Sequence, residues 1–106
     1  MSTDNGNPIE ERGVAIKERA KTKKPPLYKV LLHNDDYTSM EFVIQVLQKF
    51  FSKTRTDATR VMLLIHHTGM GVAGLYTHDI AEKKVNLVLE YAQKHGFPLR
   101  CTMERE

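Results

Sequence analysis

The chain has 106 residues, of which 41% are hydrophobic and 27% charged, with a formal net charge of +3 and a single cysteine. That length allows one domain with one modest core, and the lone Cys101 excludes an intrachain disulfide, a CxxC metal pair and a redox pair. No apolar run is long enough to span a bilayer and residues 1 to 12 are too polar for a signal peptide, so the expectation is a cytoplasmic protein outside the membrane.

Residues 1 to 26 carry six Lys/Arg against four Asp/Glu and only Ile9, Val14 and Ile16 as large apolar groups. So few apolar groups do not offset the entropy of ordering the segment, which is therefore expected to be a flexible tail. Pro25-Pro26 marks the boundary, and the folded domain is expected over 27–106. The basic cluster Lys21, Lys23 and Lys24 lacks interleaved aromatics and a basic helix face, which argues against nucleic-acid binding.

In "LYKVLLHN" the residues Tyr28, Val30 and Leu32 alternate with Leu27, Lys29, Leu31 and His33, the period of a strand. "TSME" over 38–41 matches a capping box, with the Thr38 hydroxyl bonding the Glu41 amide and the Glu41 carboxylate reaching back, so a helix is expected from Ser39. Phe42, Val43, Val46, Leu47, Phe50 and Phe51 form its apolar stripe. A second helix is expected from about Asp57, with Ala58, Val61, Met62 and Ile65 inward and an end near Gly69. "GVAGLY" reads as a strand whose glycines allow a bulge or a close approach. Thr77 is the expected cap of a third helix, with Asp79 in its first turn and Ala81, Val85, Val88 and Ala92 along its buried stripe. "LRCTME" closes the chain as a strand. The order β-α-α-β-α-β predicts an α+β sandwich, a small three-stranded antiparallel sheet packed against three helices.

Catalysis is not indicated. Ser39 and Ser52 lie on no G-x-S-x-G elbow, and "TGMGVAG" precedes a strand instead of opening a helix. A zinc site built from Asp35, Asp36, His66 and His67 has poor spacing, since adjacent helical residues point about 100° apart. What remains is the polar seam Asn34-Asp35-Asp36 between strand and helix. Turn chemistry by itself explains such a seam. Together with Thr38 and His66 it also suits an ammonium ligand, because an α-amino group with a pKa of about 8 is cationic at neutral pH. The residue types leave both readings open.

The longer pattern is more specific. "PPLYKVLLHNDDYTSMEFVIQVLQKFF", then "ATRVMLLIHHTG", "IAEKKV" and "PLRCTMERE", resembles the ClpS family of adaptors of the ATP-dependent Clp protease, over about residues 24 to 104. The resemblance implies a non-enzymatic, monomeric N-degron receptor without cofactor or metal. Such a receptor captures proteins that begin with Leu, Phe, Tyr or Trp and passes them to the ClpA unfoldase, or a ClpC-type relative, for degradation by ClpP. It implies that Asn34 and His66 bond the substrate α-amino group, that Asp35 completes the polar collar, and that Asp36 and Thr38 shape the loop. It further implies an apolar pocket of Leu32, Met40, Val43, Met62, Ile65 and Leu99, with Met40 as a gate against β-branched Ile and Val. Asp79, Glu82 and Lys84 match the unfoldase-binding face, and the tail matches a segment that enters the unfoldase channel. Ser39 stands where the family commonly has proline, and His33 and His67 are expected to add a pH-dependent increment to amine binding.

Overall fold

The computed structural model describes residues 24 to 106, so the tail expected over 1–26 lies almost wholly outside the described residues. Strand β1 (Leu27–His33) is followed by helices α1 (Met40–Phe51) and α2 (Arg55–Thr68), strand β2 (Met70–Thr77), helix α3 (His78–Lys94) and strand β3 (Arg100–Arg105). The three strands form one antiparallel sheet in the order β2-β1-β3. This is the expected α+β order. Among the described residues no helix is long and apolar enough to cross a membrane.

β1 is the central strand because its side chains can be buried on both sides of the pleat. Val30 and Leu32 join the core under the helices, while Leu31 is buried on the opposite face between its partners Val72 and Thr102. The register slips between Val30 and Leu31, where Val30 faces Gly74 but Leu31 faces Val72, leaving buried Ala73 as the extra residue. Such a bulge bends β2 across the end of α2. Gly71 then allows the close approach of helix to strand: a Cβ there would lie 2.9 Å from Ile65 Cγ1.

α1 is buried more broadly than its expected stripe. Ile44 joins Phe42, Val43, Val46, Leu47 and Phe51 inside, because the helix lies among α2, α3 and the sheet instead of against a single surface. α2 starts two residues earlier than expected. Thr54 is its N-cap, accepting a hydrogen bond from the Asp57 amide at 3.1 Å, and Gly69 ends it in the left-handed region at φ 98°. Only three residues connect α1 to α2, because Ser52 itself adopts a left-handed conformation (φ 54°) and turns the chain at once. Thr77 occupies the N-cap position of α3 but makes no side-chain cap bond, a correction to the expected hydroxyl cap; it is also the last residue of β2.

Three chain reversals thus bring the C-terminal end of β1, the start of α1 and the end of α2 together. The Asn34 amide donates to the Gly69 carbonyl at 2.8 Å and joins the first of these to the last.

Candidate functional site

At that junction lies a cavity of about 350 Å³, lined by Asn34, Asp35, Asp36, Thr38, Ser39, Met40, Val43, Met62, Ile65 and His66. Its floor is apolar: Val43, Met62 and Ile65 are 7%, 6% and 2% exposed. Its mouth is polar, since Asn34, Asp36, Ser39 and His66 are exposed and Asp35 and Thr38 half-buried. Met40, 47% exposed, is the apolar residue at the mouth.

The loop that carries the acidic residues is built by Asp35. One carboxylate oxygen, Oδ1, accepts from the amides of Tyr37 (2.8 Å) and Thr38 (2.7 Å), and Oδ2 accepts from the Thr38 hydroxyl at 2.8 Å. Burial by itself would push the Asp35 carboxyl up, but the Thr38 hydroxyl and the two amides outweigh it and hold the group below its ordinary range. Asp35 is therefore an ionised carboxylate at neutral pH. A carboxylate has about four lone-pair sites, so three protein donors leave it acceptor capacity toward the cavity. Turn chemistry and a charge that lines the cavity are thus not rivals at this residue.

This arrangement corrects the expected capping box. The Thr38 hydroxyl is occupied by Asp35, so Ser39 is the N-cap and accepts from the Phe42 amide at 3.1 Å. The helix begins one residue later, and the Glu41 carboxylate is released from the helix end. It pairs with Arg55 instead, through two bonds of 2.8 and 2.9 Å. Ser39 is the lining residue that the sequence reading missed. Its signal was a hydroxyl directly before Met40, outweighed by a Glu at the spacing that favoured Thr38.

All five expected amine-binding residues, Asn34, Asp35, Asp36, Thr38 and His66, line one cavity with Met40, Val43, Met62 and Ile65. Leu32 and Leu99 do not line it: at 0% and 4% exposure they belong to the core cluster that also contains Val43, Met62 and Ile65. Neither do His33 and His67. The His33 ring bonds the Thr102 hydroxyl at 2.8 Å, and burial, then the neighbouring Arg100 guanidinium, hold it below its ordinary range against a smaller opposing pull from Glu104. The His67 ring lies 5.4 Å from that of His66. Among the described residues, the side chains with ligand atoms close enough to share an ion are His78, Asp79 and Glu82, not Asp35, Asp36 and His66.

Those exposed groups sit at the start of α3. The Asp79 side chain is almost fully exposed beside the His78 ring, at 3.2 Å. Lys84, one turn further, is half-buried and differently engaged. Its ammonium donates to the Phe50 carbonyl at 2.6 Å, in the last turn of α1, and lies 5.5 Å from the Tyr76 ring centroid.

Comparison with known proteins agrees with this architecture. Residues 23–102 match the family model described as "ATP-dependent Clp protease adaptor protein ClpS". The ClpS adapter protein of Parvibaculum lavamentivorans is 60% identical over 89% of this chain and 86% of its own. That of Rhodospirillum centenum is 50% identical over 99% of this chain and 97% of its own. Among solved structures, Agrobacterium tumefaciens ClpS2 bound to L-phenylalaninamide superposes with a TM-score of 0.76 at 42% identity, covering 78% of this chain and all of that one. The chain belongs to the ClpS family, the non-enzymatic adaptor proteins of the ATP-dependent Clp protease.

Proposed function

We propose that this adaptor is an N-degron receptor that binds the free α-amino group and first side chain of proteins beginning with Leu, Phe, Tyr or Trp, and delivers them to the ClpA unfoldase for degradation by ClpP. The observation that carries the reading is the union, in one cavity, of an acceptor-rich mouth and an apolar floor. The ligand held by the Agrobacterium relative, L-phenylalaninamide, has the complementary pair of features, an ammonium and an apolar benzyl side chain on one carbon.

Asn34, Asp35 and His66 receive the ammonium, and Asp36 adds negative potential at the mouth. Asp35 also holds Thr38 and Tyr37, so the loop is organised before the ligand arrives. Val43, Met62 and Ile65 receive the side chain. Its burial contributes about 1.5 to 3 kcal/mol and each hydrogen bond to the charged amine roughly another 1.5 to 3. The cost of association, about 4 kcal/mol or more, is set against this sum, so both kinds of contact are needed for binding. Neither half suffices by itself, so an internal Leu and an N-terminal Ser are both refused.

The test is fluorescence anisotropy with labelled peptides differing only in their first residue. Leu should bind at least tenfold more tightly than Ser, the scale of one lost apolar contact; equal affinities would remove the pocket from the mechanism. The pH profile follows from the two charges. The bound amine has a raised pKa, so the amine's own contribution to affinity is full below its free value of about 8 and falls by up to tenfold per unit above it. The depressed Asp35 pKa means that its contribution is present above the unfolded value of about 3.9, and is lost only as pH falls through the lower folded value. Between pH 5 and 7 Asp35 should therefore cause no loss.

For the unfoldase, the exposed Asp79 and Glu82 offer the contact surface. Lys84 contributes to it by tying α3 to the end of α1 and so setting where that surface stands.

A further inference from the structure

We propose that the Glu41–Arg55 ion pair is a positioning clasp that sets the clearance at the cavity mouth, and thereby the preference for an unbranched over a β-branched first side chain. The proposal rests on the ligand reading above.

Met40 is the first residue of α1, and it stands at the mouth while the other apolar lining residues form the floor. Met40 is anchored at its Cα by the first turn of α1, so the space that its side chain can sweep at the mouth moves with that turn. That turn is held at two points. Ser39 caps it, and Glu41, the residue after Met40, is gripped by both guanidinium nitrogens of Arg55. Arg55 is the first residue of α2, the helix that supplies Met62, Ile65 and His66 to the same cavity. The clasp thus joins the leading ends of the two helices whose side chains enclose the ligand space. Two parallel bonds from a planar fork fix orientation as well as distance, which a lone ammonium does not.

The pair is more than half exposed on both sides, with side-chain exposures of 58% and 54%. Exposed pairs of this kind contribute little to stability, so variants that cut it should remain folded. A β-branched residue carries its extra bulk on Cβ, the first side-chain carbon, which in this reading stands at the level of Met40. Leu and the aromatic residues branch deeper, at the level of Val43, Met62 and Ile65. Clearance at the first turn of α1 therefore discriminates between these shapes more than it affects Leu binding.

The experiment measures affinities of two peptides, identical except for an N-terminal Leu or Ile, for the full chain and for Arg55→Ala, Arg55→Lys and the exchanged pair Glu41→Arg/Arg55→Glu. In Arg55→Ala the Leu-to-Ile affinity ratio should fall about threefold, the scale on which exposed ion pairs act, with Leu affinity changed less than twofold. Arg55→Lys should fall between, and the exchanged pair should recover the ratio. An unchanged ratio in Arg55→Ala would overturn the clasp, as would equal losses for both peptides. If the unmodified protein binds neither peptide, the receptor reading itself fails, an outcome distinct from either.

Discussion

Acetylating the α-amino group of a Leu-initiated peptide should cost roughly 100-fold or more in affinity, because at least two hydrogen bonds to a charged donor, each about 1.5 to 3 kcal/mol, are lost together. Acetylation removes the charge, leaves one N–H where there were three, and brings a carbonyl toward a mouth already rich in acceptors. The uncompensated groups would be Asn34, Asp35 and His66. Calorimetric titration of the free and acetylated peptides checks this, and equal affinities would take the ammonium out of recognition. Asp35→Ala should weaken the free peptide about tenfold, through one lost charge contact and the loosened loop. Its circular dichroism should stay native, since the residue is half-buried at the surface. In that variant the penalty for acetylation should shrink, since part of the contact is already gone; full additivity would show that Asp35 and the amine do not meet. Asp35→Asn should lie between, keeping an acceptor for the Tyr37 and Thr38 amides while losing the charge.

Leu32→Ala should destabilise the domain by about 2 to 5 kcal/mol, the usual cost of a cavity at a closed core position. Leu32 is 0% exposed in the central strand and lies in the common core cluster with Val30, Val46 and Leu47. A domain of this size is expected to have about 5 to 15 kcal/mol in all, so the loss should show as a marked fall in the urea midpoint and a melting temperature lower by at least about 10 °C. Peptide affinity measured where the variant is still folded should change less than about twofold. Met62→Ala and Ile65→Ala should differ in kind, because both residues are core members and cavity floor at once, and should lose stability and affinity together. A Leu32→Ala protein that keeps its stability but loses binding would return Leu32 to the pocket.

Much of this molecule is legible in local pattern. The alternation of 27–33 and the 3.6-residue stripes of the three helices announce their elements, because the period of burial is set by backbone geometry within a few residues. Gly69 announces the end of α2 for the same local reason, a left-handed residue that glycine adopts without penalty. The family pattern then brings the polar seam and the methionines under one heading, which composition and spacing could not do.

The capping residue shows where local pattern stops. Thr38 and Ser39 are both competent N-caps, and the spacing to Glu41 favours the first. The folded loop decides otherwise, because Asp35 takes the Thr38 hydroxyl and Glu41 finds a guanidinium 14 residues away. Leu32 and Leu99 make the same point from the apolar side. Both carry the right chemistry for a pocket wall, and only the packing depth of β1 and of the segment before β3 places them beneath it. Lys84 is polar by composition, yet the approach of α3 to the end of α1 turns it into a donor to a main-chain carbonyl.

By itself the sequence determined which elements form, their order, and the kinds of side chain brought to the seam after β1, since these depend on interactions between residues a few places apart. Tertiary structure decided which oxygen accepts which proton, which leucines reach the cavity and which partner each charge meets. Those choices depend on competition between groups far apart in the chain, and it is resolved only when the helices and the sheet come to rest against one another.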